Sequence, residues 1–135
     1  MRRMIGIVSG IALILTAGTA RAHEEHEGAG HEPVTENTGK EEVLTGEVVD
    51  VFCYLSHGTE GLGKGHAGCA KKCIKNGLPV AIKVGDQLYL AAMDSHDPAN
   101  AALADLAGEQ VTVHGTVLEK DGQHLVSITK VEKTQ

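Results

Sequence analysis

From Val43 onward the apolar positions fall into short runs separated by glycine-rich breaks, and the period changes from run to run. The first run, VLTGEVVDVFCYL, places Val49, Val51, Cys53 and Leu55 on one side and Val48, Phe52 and Tyr54 on the other, which predicts a long strand covered on both faces. Gly46 offers a point for that strand to bend, as strands in small closed barrels must. The run SHGTEGLGKGH then reads as a loop. AGCAKKCIKN reads as a short helix stopping at Asn76-Gly77, with Pro79 just beyond. VAIKV and QLYLAAM form a predicted hairpin joined at Gly85-Asp86. A second helix is expected over 98–107, capped by Asp94, Ser95 or Asp97. QVTVHGTVL and HLVSITKV alternate on either side of Asp121-Gly122 and predict a closing hairpin.

Five strands with a helix between the third and fourth is the element order of the small Greek-key barrel known as the OB-fold. The expected fold is therefore mainly β with short helices: a five-stranded OB-like barrel over residues 43–135, with an extra helix after the first strand. An antiparallel α+β sandwich is the alternative architecture.

The residues before Val43 read differently. Arg2 and Arg3 precede an apolar run from Ile5 to Ala17 that ends in Ala20-Arg21-Ala22, the pattern of a cleaved signal peptide over residues 1–22. The apolar run is shorter than the ~20 residues that cross a bilayer, so the expected product is periplasmic or secreted, with no membrane anchor after cleavage. Residues 23–42 lack apolar periodicity and are rich in Glu, Gly and His, the composition of a disordered tail. His23, His26 and His31 lie there among carboxylates. If cleavage follows Ala22, His23 presents an imidazole beside a free α-amine, a pair that chelates divalent copper well; the bland reading is an acidic, solvating tail.

Charge and aromatic content narrow the function. The formal net charge is −6, and signal cleavage would remove Arg2, Arg3 and Arg21. The aromatic residues are Phe52, Tyr54 and Tyr89 alone. An acidic barrel with neither a basic stripe nor a stacking platform is not expected to bind nucleic acid, although its fold often does.

Chemistry concentrates between positions 53 and 73, which hold all three cysteines and two histidines. Cys69 and Cys73 are four apart and share a helix face. His66 stands three residues earlier, giving H-x-x-C-x-x-x-C. Cys53, at the expected strand end, completes the set if the strand end meets the helix. Three thiolates and one imidazole make a tetrahedral zinc site or a soft copper site. Cys69 is expected in the first helical turn, where the macrodipole and nearby lysines would favour its thiolate. The alternatives are a disulfide, joining Cys53 to either helical cysteine and leaving one thiol, or a thiol redox pair. His57, in the loop, and His96, between a strand end and a helix start, are weaker metal candidates. Met93 reads as a core gap-filler. No hydrolytic triad, phosphate loop or haem-attachment motif is present, and no enzyme activity is expected beyond a weak case for a thiol oxidoreductase.

The run from Cys53-Tyr54 through Gly65-His66 to Cys69-Ala70 and Cys73, then Gly77-Leu78-Pro79-Val80, resembles a group of small exported bacterial proteins with an OB-like barrel and no settled function. The resemblance extends through Tyr89, His96 and the last hairpin, and it implies a shared Cys/His site. The C-x-x-x-C pair with a nearby histidine is also similar to the ligand set of Sco-type copper chaperones, which are built on a different fold. The expected function is periplasmic metal binding, with copper as the ion and zinc as the alternative, and with a periplasmic partner protein as a further candidate. The competing readings are a non-catalytic binding module stabilised by structural zinc or a disulfide, and a thiol–disulfide redox protein.

Overall fold

The computed structural model describes residues 39–134; the predicted signal peptide and the tail histidines His23, His26 and His31 lie outside them. Five strands form a closed barrel: β1 (Lys40–Asp50), β2 (Val80–Val84), β3 (Gln87–Met93), β4 (Gln110–Lys120) and β5 (Gln123–Lys133). Around the barrel the order is β1-β2-β3-β5-β4. It closes by pairing Lys40–Glu47 of β1 antiparallel to Val117–Gln110 of β4. Only β3 and β5 run parallel, from Leu90 opposite Leu125 to Met93 opposite Ile128. This is the OB-type Greek key anticipated from the element order.

Both predicted hairpins form. Asp121 and Gly122 take positive φ (52° and 76°), as the two-residue connection between β4 and β5 requires. In β4 the buried positions Val111, Val113, Gly115 and Val117 alternate with half-buried ones, the period of two read from the sequence. The side chains of Val111, Val113 and Val117 meet Leu44, Val48, Val80, Ile82, Val126 and Ile128 inside the barrel. Met93 packs against this core.

Three local expectations are corrected. First, β1 begins at Lys40 instead of Val43, because a ladder with β4 satisfies the backbone whatever the side chains, and Lys40, Glu41 and Val43 simply point to solvent. Second, β1 ends at Asp50. Asp50 is fully buried, extended (φ −78°, ψ 122°), and its Oδ1 accepts the Cys53 N–H at 2.7 Å, so the chain turns into a helix, α1 (Val51–His57), where a continuing strand was expected. Third, the glycine-rich run is not a loop: a 3₁₀ turn (Gly58–Gly61) leads into α2 (Gly63–Lys75). The start of α2 is held by a residue of β1, since Glu47 Oε1 accepts the Gly63 N–H at 2.5 Å.

The end of α2 is as read from the sequence. Gly77 takes φ 93°, its N–H bonds the Ile74 carbonyl at 3.0 Å, and the Leu78 N–H bonds the Cys73 carbonyl at 3.1 Å. Ala70 and Ile74 are the buried residues of α2 and belong to the barrel core. The predicted second helix is a single turn, α3 (Asn100–Leu103), followed by a 3₁₀ turn (Ala104–Leu106). Asp94, Ser95 and Asp97 do not cap it; the cap position is Ala99, and Ser95 instead donates to Asp97 at 2.9 Å. Asn100 does more than begin α3. Its amide donates to the carbonyls of Ile74 and Leu78, both at 2.8 Å, and pins the end of α2 to the barrel. Lys71 and Lys75 reach Asp105 at 2.8 and 2.9 Å, which holds its carboxyl down at about 2. No helix among the described residues is long and apolar enough to cross a membrane.

Candidate metal centre

Two short helices leave the same end of β1 in sequence, and each carries donor side chains at helical spacing. On α1, Cys53 and His57 are four apart; on α2, His66, Cys69 and Cys73 follow at intervals of three and four. The Sγ atoms of Cys53, Cys69 and Cys73 all lie within 4.8 Å of one another. All three are free thiols. Cys53 Sγ and Cys73 Sγ approach to 3.9 Å, beyond the ~2.05 Å of a disulfide bond.

The three differ in exposure: Cys53 is buried, Cys73 half-buried and Cys69 exposed. Cys53 was expected at a strand end and lies instead in the first turn of α1. Cys69 was expected in the first turn of α2 and lies in its second, because the helix starts at Gly63. The argument from the helix terminus therefore does not reach it.

The electrostatics favour protonated thiols at the inner positions. The Asp50 carboxylate beside Cys53, with burial and the Cys73 sulfur adding to it, pushes the Cys53 thiol well above the ordinary range. Burial, first among the causes, also raises Cys73. Two polar atoms in this region are buried without a partner among the described residues: Oδ2 of Asp50 and Nε2 of His66. Buried polar atoms are normally hydrogen-bonded or ligated, so each exception calls for an explanation such as a bound ion.

The histidines divide. His66 is half-buried next to His57, with ring centroids 6.1 Å apart, and neither belongs to the group of mutually close thiols. His96 is exposed after β3, with positive φ (66°), and its N–H bonds the Met93 carbonyl at 2.9 Å; it too is outside the group. His114 and His124 pair with Glu132 and Glu119 at 3.3 and 2.9 Å.

Sequence reading missed Asp50 and Glu47, the carboxylates that set the starts of the two helices. D-x-x-C at the end of an apolar run is a capping pattern and could have flagged Asp50. Glu47 carried no such signal, since its partner Gly63 is 16 residues away.

The glycines of α2 lead to a first prediction. Gly65 and Gly68 lie in the helix without positive φ, and a Cβ at either would meet nothing within 4 Å. Each costs helix stability of about 0.5–1 kcal/mol relative to alanine. The double variant Gly65→Ala/Gly68→Ala is expected to raise stability by about 1–2 kcal/mol and Tm by several degrees. Calorimetry checks it; an unchanged or lower Tm would mean that α2 is not helical at these positions in solution.

No protein-family model, curated protein or solved structure matches the chain.

Proposed function

We propose that this is a metal-handling protein of the bacterial cell envelope that holds a soft ion, copper(I), through Cys53, Cys69 and Cys73, with His66 as a fourth donor. The observation that carries the reading is the convergence of three free thiols within 4.8 Å on two facing helices of an otherwise unremarkable small barrel. Thiolates select copper(I) or zinc over harder ions, and an imidazole suits either. The partnerless Nε2 of His66 supports its inclusion. Export, read from Met1–Ala22, and the histidines of the tail favour copper; zinc is the alternative ion. The gradient from exposed Cys69 to buried Cys53 suits handling better than permanent storage, because an incoming donor can exchange its ion through the accessible thiol.

Binding would require Cys53 and Cys73 to lose protons they hold tightly. The expected result of titrating the reduced full chain with copper(I) against a chelating competitor is one ion per chain, release of about two protons, and an affinity that rises with pH between 6 and 8. Binding that is independent of pH, or no binding, overturns the reading.

A second reading has its own observation. Cys53 and Cys73 at 3.9 Å are the pair placed to form a disulfide, each thiol losing a proton and one electron to an oxidant such as another disulfide. Thiol counting on protein taken directly from the cell envelope separates the two: three reactive thiols after metal removal support the metal site, whereas one supports a disulfide-stabilised module.

A further inference from the structure

Helix α1 has a second face. Opposite the thiols, Val51, Tyr54 and Leu55 form one wall of a cleft of about 430 Å³. Its other walls are Asp86, Gln87, Leu88 and Leu90 from the start of β3, and Gly122, Gln123 and His124 from the β4–β5 turn. The cleft exists because β3 and β5 part there. Their parallel ladder starts only at Leu90 opposite Leu125. Before it, Gln87–Tyr89 pair with β2 alone, and Gln123 and His124 with β4 alone. The barrel therefore leaves Gln87 and Leu88 without a β5 partner along a cleft with apolar walls, and the gap ends at Tyr89, whose ring meets that of His124 with centroids 5.5 Å apart.

We propose that this cleft binds an extended peptide strand that is apolar at its centre and basic at its ends. An unpaired strand edge calls for a ligand that offers backbone donors and acceptors at strand spacing, and a peptide supplies both. Leu55 is 70% exposed, and Leu88 and Leu90 are only half-buried, so an apolar side chain entering between α1 and β3 would cover surface that this chain leaves open. The charge preference follows from the walls. They include the Asp86 carboxylate and no lysine or arginine, in a chain of net charge −6. The nearby Lys83 amine is turned onto the Tyr54 ring, 5.4 Å from its centroid, and onto the Gly85 carbonyl. The size falls within the 300–1,000 Å³ typical of ligand sites.

Because α1 contributes both Cys53 and this wall, a partner held here would sit one helix away from the thiols. Peptide binding itself does not depend on the metal reading.

The test is amide chemical-shift mapping on the ¹⁵N-labelled, metal-free full chain with two pentapeptides, acetyl-Lys-Val-Leu-Val-Lys-amide and acetyl-Glu-Val-Leu-Val-Glu-amide. The basic peptide is expected to give saturable shifts at Gln87–Tyr89, Gln123, His124 and Leu55, and the acidic one to bind at least fivefold more weakly. Leu55→Glu, at an exposed position, should weaken the basic peptide while leaving the dispersion of the spectrum intact. Asp86→Lys should reverse the preference between the two. Absence of saturable shifts, shifts confined to another face, or equal binding of both peptides would overturn the proposal.

Discussion

Replacing Cys69 by serine is expected to weaken copper(I) binding by at least roughly 100-fold, since even outer-shell losses at metal sites cost 10- to 100-fold and this change removes a ligand. The fold should not suffer. Cys69 is exposed, makes no core contact and lies outside the buried set, so its stability change should stay within about 0.5 kcal/mol. That separation makes it the most informative of the three cysteines. The equivalent change at buried Cys53 would alter packing and the neighbourhood of Asp50 at once. Competition titration together with urea unfolding checks both halves. Unchanged affinity in Cys69→Ser would remove this thiol from the site and break the three-thiol reading, and a large loss of stability would mean that Cys69 is packed in solution.

Ile74→Ala is the substitution expected to cost the fold most, about 2–5 kcal/mol. Ile74 is fully buried, belongs to the barrel core, and is one of two residues by which α2 enters that core. The cost is a large share of the 5–15 kcal/mol typical of whole domains. The loss should also reach the site, because Cys73 immediately precedes Ile74 and the carbonyl of Ile74 is one of the two that Asn100 grips. Urea unfolding monitored by circular dichroism measures the first effect, and copper(I) titration under native conditions the second. A cost below about 1 kcal/mol would show that α2 is held mainly by its polar ties: Glu47 at its start, Asn100 at its end, and Asp105 on its lysines.

The strands β2 to β5 and their two hairpins were legible because their information is local. Alternation over five or more residues and a turn such as Asp121-Gly122 act within reach of one another along the chain. The same holds for the end of α2 at Asn76-Gly77. Misreadings cluster between Asp50 and His66. There an apolar run with β-favouring residues was cut short by a buried aspartate acting as a cap, and a stretch with many glycines was helical against its own propensity. In both places a tertiary contact outweighed a local preference: burial of Asp50 at the barrel end, and the Glu47 carboxylate on the first N–H of α2.

The sequence by itself determined the order of elements along the chain and its two hairpins, because alternation and turn residues act locally; that the strands close into a Greek-key barrel with β3 parallel to β5, where the same order also allowed an antiparallel sandwich, was decided by tertiary pairing. The sequence also determined that Cys69 and Cys73 share a face, since helical spacing alone requires it. Only the tertiary structure decided that Cys53 joins them. A strand would have pointed its sulfur by the period of two, whereas the turn at Asp50 swings it onto a helix facing α2, so that three thiols separated by up to 20 residues meet within 4.8 Å. The cleft on the other side of α1 was likewise beyond the sequence, because it depends on where two strands distant in the chain stop pairing.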